Sequence, residues 1–474
     1  MAGAHHGLGL LLALLLPAVP TSSTGTVVRI NRAALSYVAD VGKVSLQRAL
    51  KVMVPPFLDQ SGEVHQPTRT QTLDVHVSHL DLKFIAGFGL RLMATANFTI
   101  KVFRTPETLE LMLPVALTAD ARVAQGPIRT PVVSISTCSS IFSPARVLHD
   151  SNSISPELLV LVQEHIKAIL SNKLCLHISN LVQGLNVHLG TLIGLSPVGP
   201  ESQIRYSMVS EPIITGDYIA LEVNADLFLL GQPITLPLDV TPFVLPWPVG
   251  TKGTMATMGL SQQLFDCILL LLQKAGALNL DVTGELNSDD NPLNTSALGQ
   301  LIPEVTHQFP EPMPVVLKVY LGATPMVTFH TNNATLRLQP FVEVLVASSN
   351  SAFQSLFSLE VAVNLSLQLS VSKVKLQGTT SVLGDVRFSV AASNVGFIDV
   401  SGDWVSRAPG GWVHVKQLHT LVGTLFKKPL LDHLNALLGM GIALPSVVNL
   451  YYTNPEVFVY EGYVVISSGL FYQR

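Results

Sequence analysis

The chain is poor in charge. Asp, Glu, Lys and Arg make up 13% of its 474 residues while 48% are hydrophobic; an ordinary soluble domain carries about 25% charged residues. So little charge means either a membrane-spanning chain or an unusually large apolar surface kept inside. The strongest internal apolar run, Cys267 to Leu272, falls far short of the roughly 20 residues a spanning helix needs. The expectation is therefore a protein that is not integral to a membrane. A basic excess is also missing: the net charge is -4, which argues against a nucleic-acid partner. Catalytic signatures are absent, with no Gly-x-Ser-x-Gly elbow and no His-Glu-x-x-His. His76 and His79 lie on a strand, where odd spacing puts them on opposite faces. His414 and His419 have finger-like spacing without a cysteine pair nearby. Asp289 and Asp290 sit in a polar loop that lacks the glycine and ligand spacing of an EF-hand. Each set reads as solvated surface, and the expectation is a non-enzymatic protein with no cofactor and no metal.

What the chain has is alternation. Leu73, Val75 and Val77 alternate with Asp74, His76 and Ser78. Ala94 to Val102 and Val361 to Val371 repeat the pattern over longer stretches. Period two over such lengths means strands with one wet and one apolar face. Those apolar faces must be covered by helices, by another sheet or by a bound apolar ligand.

Helices are available for the task. Asn31 is placed to cap a helix from Arg32 to about Val52, with a stripe containing Leu35, Val38 and Leu46 and Pro55 and Pro56 beyond it. Ser155 and Pro156 start a second helix, with Leu159, Val162 and Ile166 on one face and no stop signal at Cys175. Residues 232–250 hold Pro233, Pro237, Pro242, Pro246 and Pro248, a density that suits an extended connector. After it, Ser261 opens a helix carrying Leu264, Ile268 and Leu271, and a long helical stretch over 415–438 carries Leu421, Leu425 and Leu434. Pro429 must kink or break that stretch. Each half thus reads helix, strands, long helix, strands, an order-level duplication. The expected division is a signal peptide over 1–23, an N-terminal unit over 24–231, a linker over 232–250 and a C-terminal unit over 251–474.

Secretion is expected from the apolar run Leu8 to Val19, followed by Pro20, Thr21, Ser22 and Ser23. Four glycosylation sequons, at Asn97, Asn294, Asn333 and Asn364, agree with an extracellular location; parity puts Asn97, Asn333 and Asn364 on wet strand faces. Three cysteines, Cys138, Cys175 and Cys267, allow three pairings. Cys267 lies in an apolar helical stretch and reads as a buried thiol. That leaves Cys138 with Cys175, a closure that contributes roughly 4 kcal/mol in the chain-entropy model.

Val27-Val28-Arg29-Ile30, Ala34-Leu35-Ser36-Tyr37 and Leu46-Gln47-Arg48-Ala49-Leu50-Lys51 resemble the start of the bactericidal/permeability-increasing (BPI) fold family, which includes lipopolysaccharide-binding protein, long palate-lung-nasal-clone-type proteins and plasma lipid-transfer proteins. Cys138 and the helix bearing Asn172-Lys173-Leu174-Cys175 resemble that family's single disulfide, and the resemblance spans the mature chain. It implies an α+β boomerang of two similar barrels, each a long helix on a curved antiparallel sheet, joined by a central antiparallel sheet. It also implies apolar pockets for phospholipid or another amphipathic lipid and a role in host defence at epithelial surfaces. Candidate lining residues are Leu35, Val38, Leu46, Leu159, Val162 and Ile166 in the first barrel. In the second they are Leu264, Ile268, Leu271, Leu421, Leu425 and Leu434. The antibacterial members are strongly cationic at one tip. Here residues 22–104 hold ten basic residues interspersed with five acidic ones, so weak or no lipopolysaccharide binding is expected. Two alternatives stay open: a lipid-transfer protein, and a surface-recognition protein whose pockets have collapsed.

Overall fold

The computed structural model describes residues 25–51, 57–58, 67–104, 107–150, 156–235, 243–246, 253–283, 293–300, 302–347, 352–395 and 415–473. The segment expected as a signal peptide, Ser155, His414, the loop of Asp289 and Asp290, and much of the proline-rich stretch 232–250 lie outside them. Four long helices are described: α1 (Arg32–Ala49), α2 (Pro156–Leu189), α3 (Gln262–Lys274) and α4 (Val415–Met440). Side chains of α4 are described from Lys428 onward.

Among the described residues the strands form three sheets. The N-terminal sheet orders Phe57–Leu58, Pro67–Ile85, Gly89–Arg104, Glu107–Gln125 and Pro131–Phe142 as an antiparallel meander. Its inner face is what the alternation predicts: Val75, Val77, Ala96, Phe98 and Ile100 are buried. Along α2, Val162, Ile166, Leu170, Leu174 and Ile178 recur every four residues and join that core. α2 does run on past Cys175, to Leu189.

The C-terminal sheet is built on the long strand Phe353–Ser372. That strand pairs with Asn333–Leu338, Pro340–Ala347, Lys375–Val382 and Arg387–Ser393. α3 and α4 lie against its apolar side, with Leu264, Ile268, Leu271, Leu430 and Leu434 in one continuous core.

A central sheet joins the two halves. Its order is Leu450–Tyr460, Tyr463–Tyr472, Ala256–Ser261, Thr26–Asn31, Tyr218–Leu229, Ser202–Met208 and Ser196–Pro197. The first described strand is thus held between strands from the two halves, with Val28 opposite both Leu221 and Met258. The result is an elongated α+β boomerang of two curled half-barrels. Part of the stretch 232–250 is strapped to the central sheet. The Arg29 guanidinium donates to the carbonyls of Leu245 and Pro246, each at 3.2 Å, and Phe243 stacks on Tyr463 at 4.8 Å. Gly259 makes room for the strap, since a Cβ there would fall 2.4 Å from the Phe243 ring.

Several local readings change. The strand Pro67–Ile85 shifts register between Thr72 and Asp74 and again between Val77 and His79. A bulge sets two residues against one and reverses parity beyond it. Leu73 is therefore turned outward and is 37% exposed, and His76 and His79 share the exposed face, opposite Asn97 and Thr95. Asn31 precedes α1 but does not cap it. Its Nδ2 donates to the Thr254 carbonyl and the Thr257 hydroxyl, each at 3.3 Å, which ties the side chain to the neighbouring strand of the central sheet. Ser261 does cap α3, accepting from the Leu264 amide at 3.2 Å. Pro429 does not break α4, which continues through it.

Candidate functional site

A sheet curled without closing leaves edge strands whose backbone groups need partners. In the N-terminal half α2 supplies them along Pro131–Phe142. The Asn186 carboxamide oxygen accepts from the Val133 amide at 2.8 Å, and its nitrogen donates to the Val133 carbonyl at 2.8 Å. Cys138 on the same strand is bonded to Cys175 of α2, with Cα atoms 5.8 Å apart. The helix is therefore fixed covalently near its middle and by a paired amide near its end.

The C-terminal half repeats the amide device without the disulfide. Asn435 of α4 accepts from the Thr380 amide at 2.7 Å and the Thr380 hydroxyl at 2.9 Å, and donates to the Thr380 carbonyl at 3.3 Å. The last carbonyls of α4 are also held: Gln377 donates to Gly439 at 2.7 Å and Lys375 to Met440 at 3.1 Å. Gly441 then ends the helix at a φ of 72°, a left-handed conformation that favours glycine. Past that turn, Tyr206 of the central sheet donates to the Ala443 carbonyl at 2.7 Å. Burial pushes the Tyr206 hydroxyl well above the usual tyrosine range, so it stays a donor.

α3 seals the other edge of this sheet. Gln262 and Asp266, one helical turn apart, accept from the amides of Phe329 and Val327 at 2.9 and 2.7 Å. Burial raises the Asp266 carboxyl above its ordinary range, an effect the Val327 amide partly offsets. The neighbouring Cys267 thiol is pushed up to about 11 by burial and by the adjacent carboxylate.

Between these two sealed edges lies a cavity. Its walls are Phe265, Ile268, Leu269 and Leu272 of α3, Leu437 and Leu438 of α4, and strand side chains including Val327, Leu336, Leu367 and Leu376. Val198 and Gly199, from the segment leaving the N-terminal half, also line it, and Gln377 is the one polar side chain among the described lining residues. The cavity measures about 40 Å³, room for a few waters at roughly 10–15 Å³ each. A ligand with an acyl chain enters this site only if its walls move apart.

The expected lining residues are dispersed. Ile268 lines the cavity, while Leu264, Leu271 and Leu434 are buried in the adjoining core. In the N-terminal half Leu46, Val162 and Ile166 share one core with Leu159 at its margin, and Leu35 belongs to a separate cluster with Phe84 and Val133. Val38 joins neither and is 50% exposed. The side chains of Leu421 and Leu425 lie outside the described residues. Of the sequons, Asn333 and Asn364 are exposed and Asn97 is half-buried; Asn294 caps the short helix Thr295–Gly299, accepting from Ala297 at 2.7 Å. Sequence reasoning missed the two carboxamide clamps, though each had a signal. Asn186 sits between Val182 and Leu189, and Asn435 four residues after Leu431, so each is a polar residue on an apolar helix stripe.

Known proteins share this architecture and sequence. A family profile described as "LBP / BPI / CETP family, N-terminal domain" matches residues 34–185, and one described as "LBP / BPI / CETP family, C-terminal domain" matches residues 198–472. The chain is 73% identical over 466 residues to "BPI fold-containing family B member 2" of Homo sapiens, covering 98% of each chain. It is 64% identical over 449 residues to the Mus musculus protein of that name, covering 94% of each. A crystal structure of lipopolysaccharide binding protein superposes with a TM-score of 0.61 at 21% identity, over 95% of this chain and 100% of that one.

Proposed function

Because the chain belongs to the LBP / BPI / CETP family, whose fold is a lipid-binding one, we propose that it is a secreted, non-enzymatic protein that holds phospholipid or a related amphipathic lipid at epithelial surfaces in host defence. The observation that carries this reading is the apolar cavity between α3 and α4, walled almost wholly by leucine, isoleucine, valine and phenylalanine. Burial of acyl methylenes at roughly 0.8 kcal/mol each would retain a lipid once the walls part. Head groups stay at the mouth. The lining residues expected in the N-terminal barrel form the corresponding proposal there.

Secretion is supported by the Cys138–Cys175 bond, since disulfides persist in oxidising compartments. No described helix is long and apolar enough to cross a membrane. Glycans at the exposed Asn333 and Asn364, and at Asn97 and Asn294, belong to the same proposal. Weak or absent lipopolysaccharide binding fits the sparse N-terminal charge, much of which is already neutralised: Arg32 pairs with Asp217, Lys83 with Asp81, Arg91 with Asp120 and Lys101 with Glu110. Native mass spectrometry of the secreted, deglycosylated protein, with organic extraction, tests the reading. Co-purifying phospholipid is the expected result. A bare protein that also refuses added phospholipid would leave a scaffold used for surface recognition.

A further inference from the structure

The two barrels fasten their long helices by different means. α2 is bonded to its edge strand through Cys138–Cys175. Among the described residues, α4 is held to its edge strand by hydrogen bonds and packing alone. The C-terminal half of α4 also lies between two backbone irregularities. Pro429 carries no N–H and so lacks one helical hydrogen bond. Gly441 turns the chain at positive φ just after Met440. Beyond that turn Ala443 is tied to Tyr206. The stretch from Leu430 to Met440 is therefore a short lever between two pivots, latched at its centre by Asn435 on Thr380 and tied besides by His433, which donates to the Ala277 carbonyl just past α3 at 2.9 Å, and by Gln377 and Lys375 at its last carbonyls. Leu437 and Leu438 on that lever line the cavity.

Resting on the lipid-holding reading above, we propose that the C-terminal barrel is the compartment that loads, and that the Asn435–Thr380 clamp is its gate. Releasing the clamp lets Leu430–Met440 swing off the Lys375–Val382 strand, and an acyl chain takes the vacated space against Ile268, Leu272 and Leu367. The ligand class is a lipid with a flexible hydrocarbon chain. A rigid polycyclic body needs its whole volume opened at once; a chain that threads methylene by methylene opens the wall as it enters. The disulfide-fastened N-terminal barrel does not exchange on the same timescale.

A lock can be built from the geometry. A Cβ added at Gly378 stands 3.5 Å from the Leu438 Cβ, within the roughly 3.5–4.5 Å that disulfides span. Its close contact is the Leu367 Cδ1 methyl, the mobile end of a side chain, at 3.1 Å. The test uses the full secreted chain carrying Cys267→Ala, with Gly378→Cys and Leu438→Cys together, each alone, and Asn435→Ala separately. Two probes are followed by fluorescence: cis-parinaric acid as a single free chain, and pyrene-labelled phosphatidylcholine presented in phosphatidylcholine vesicles. Whichever probe the unlocked protein accepts identifies the source of the chain. The double-cysteine protein is expected to take up the probe when reduced and to lose that uptake on oxidation, while the Cys267→Ala parent treated in the same two ways is unchanged. Asn435→Ala is expected to load about tenfold faster, the effect of removing a clamp of a few net hydrogen bonds. Wild-type uptake of either probe by the locked protein would overturn the gate while leaving lipid holding intact. Refusal of both probes by the wild type and by Asn435→Ala would overturn lipid holding itself.

Discussion

Asn186 pairs with Val133 as though it were a residue of a neighbouring strand. Its carboxamide gives and takes one hydrogen bond with the two outward backbone groups, both at 2.8 Å. Asn435 does the same for Thr380 in the other half. At Val133 and at Thr380 the edge strand is thereby partnered by a helix side chain rather than by another strand.

Replacing Asn186 or Asn435 with leucine should destabilise the protein by about 1–3 kcal/mol, because half-buried backbone groups lose their partner. Chemical denaturation with a constant slope across variants measures it. A change within experimental error for Asn186→Leu would mean that water replaces the clamp.

The disulfide should matter more. Cys138→Ser with Cys175→Ser frees a loop of 37 residues' separation, and the expected loss is about 2–5 kcal/mol. Cys267 should behave in the opposite way. Its buried thiol, raised to about 11, should resist iodoacetamide at pH 8 in the folded protein and react at once in guanidinium chloride.

Asp266→Asn should stabilise the protein at pH 7. Burial raises the folded carboxyl above its unfolded value, so between the two values the folded state binds more protons and stability falls as pH rises. Asparagine keeps an acceptor for Val327 without the buried charge. Thermal unfolding from pH 7 down to pH 4 should show the advantage of the variant shrinking as Asp266 protonates. An advantage that is constant with pH would remove the carboxyl from the explanation.

Two truncations separate core from surface in the N-terminal half. Ile166→Ala, at a position 1% exposed, should cost about 2–5 kcal/mol. Val38→Ala, at a half-exposed position, should stay within about 0.5 kcal/mol. Equal effects would move Val38 into the packed wall.

How much was legible in the chain follows from what is local. Period-two stretches named the strands whose inner residues, such as Phe98 and Leu365, are fully buried, because successive strand side chains must point to opposite faces. Helical spacing named the faces of α2 and α3 for the same reason. The Ser261 cap and the disulfide partners were also within reach, the first by short-range chemistry and the second by resemblance. Whatever depends on two distant segments was not legible. The bulge at Leu73 reverses a parity that the residues alone assign, because the partner strand decides which residue is squeezed out. Asn31 was available to cap α1, but its side chain is tied to Thr254 and Thr257 of a distant segment. The cavity is the clearest case: Ile268 lines it and Leu271, on the same apolar helix, does not. A cavity is the space left where elements from residues 198 to 442 fail to fill the volume between them. That difference exists only once all of them are packed. The sequence by itself determined that large apolar faces would have to be buried. The tertiary structure decided which edge strands a helix carboxamide would close, at Val133 and Thr380, and where space would remain between the packed elements, because both depend on segments distant in the chain.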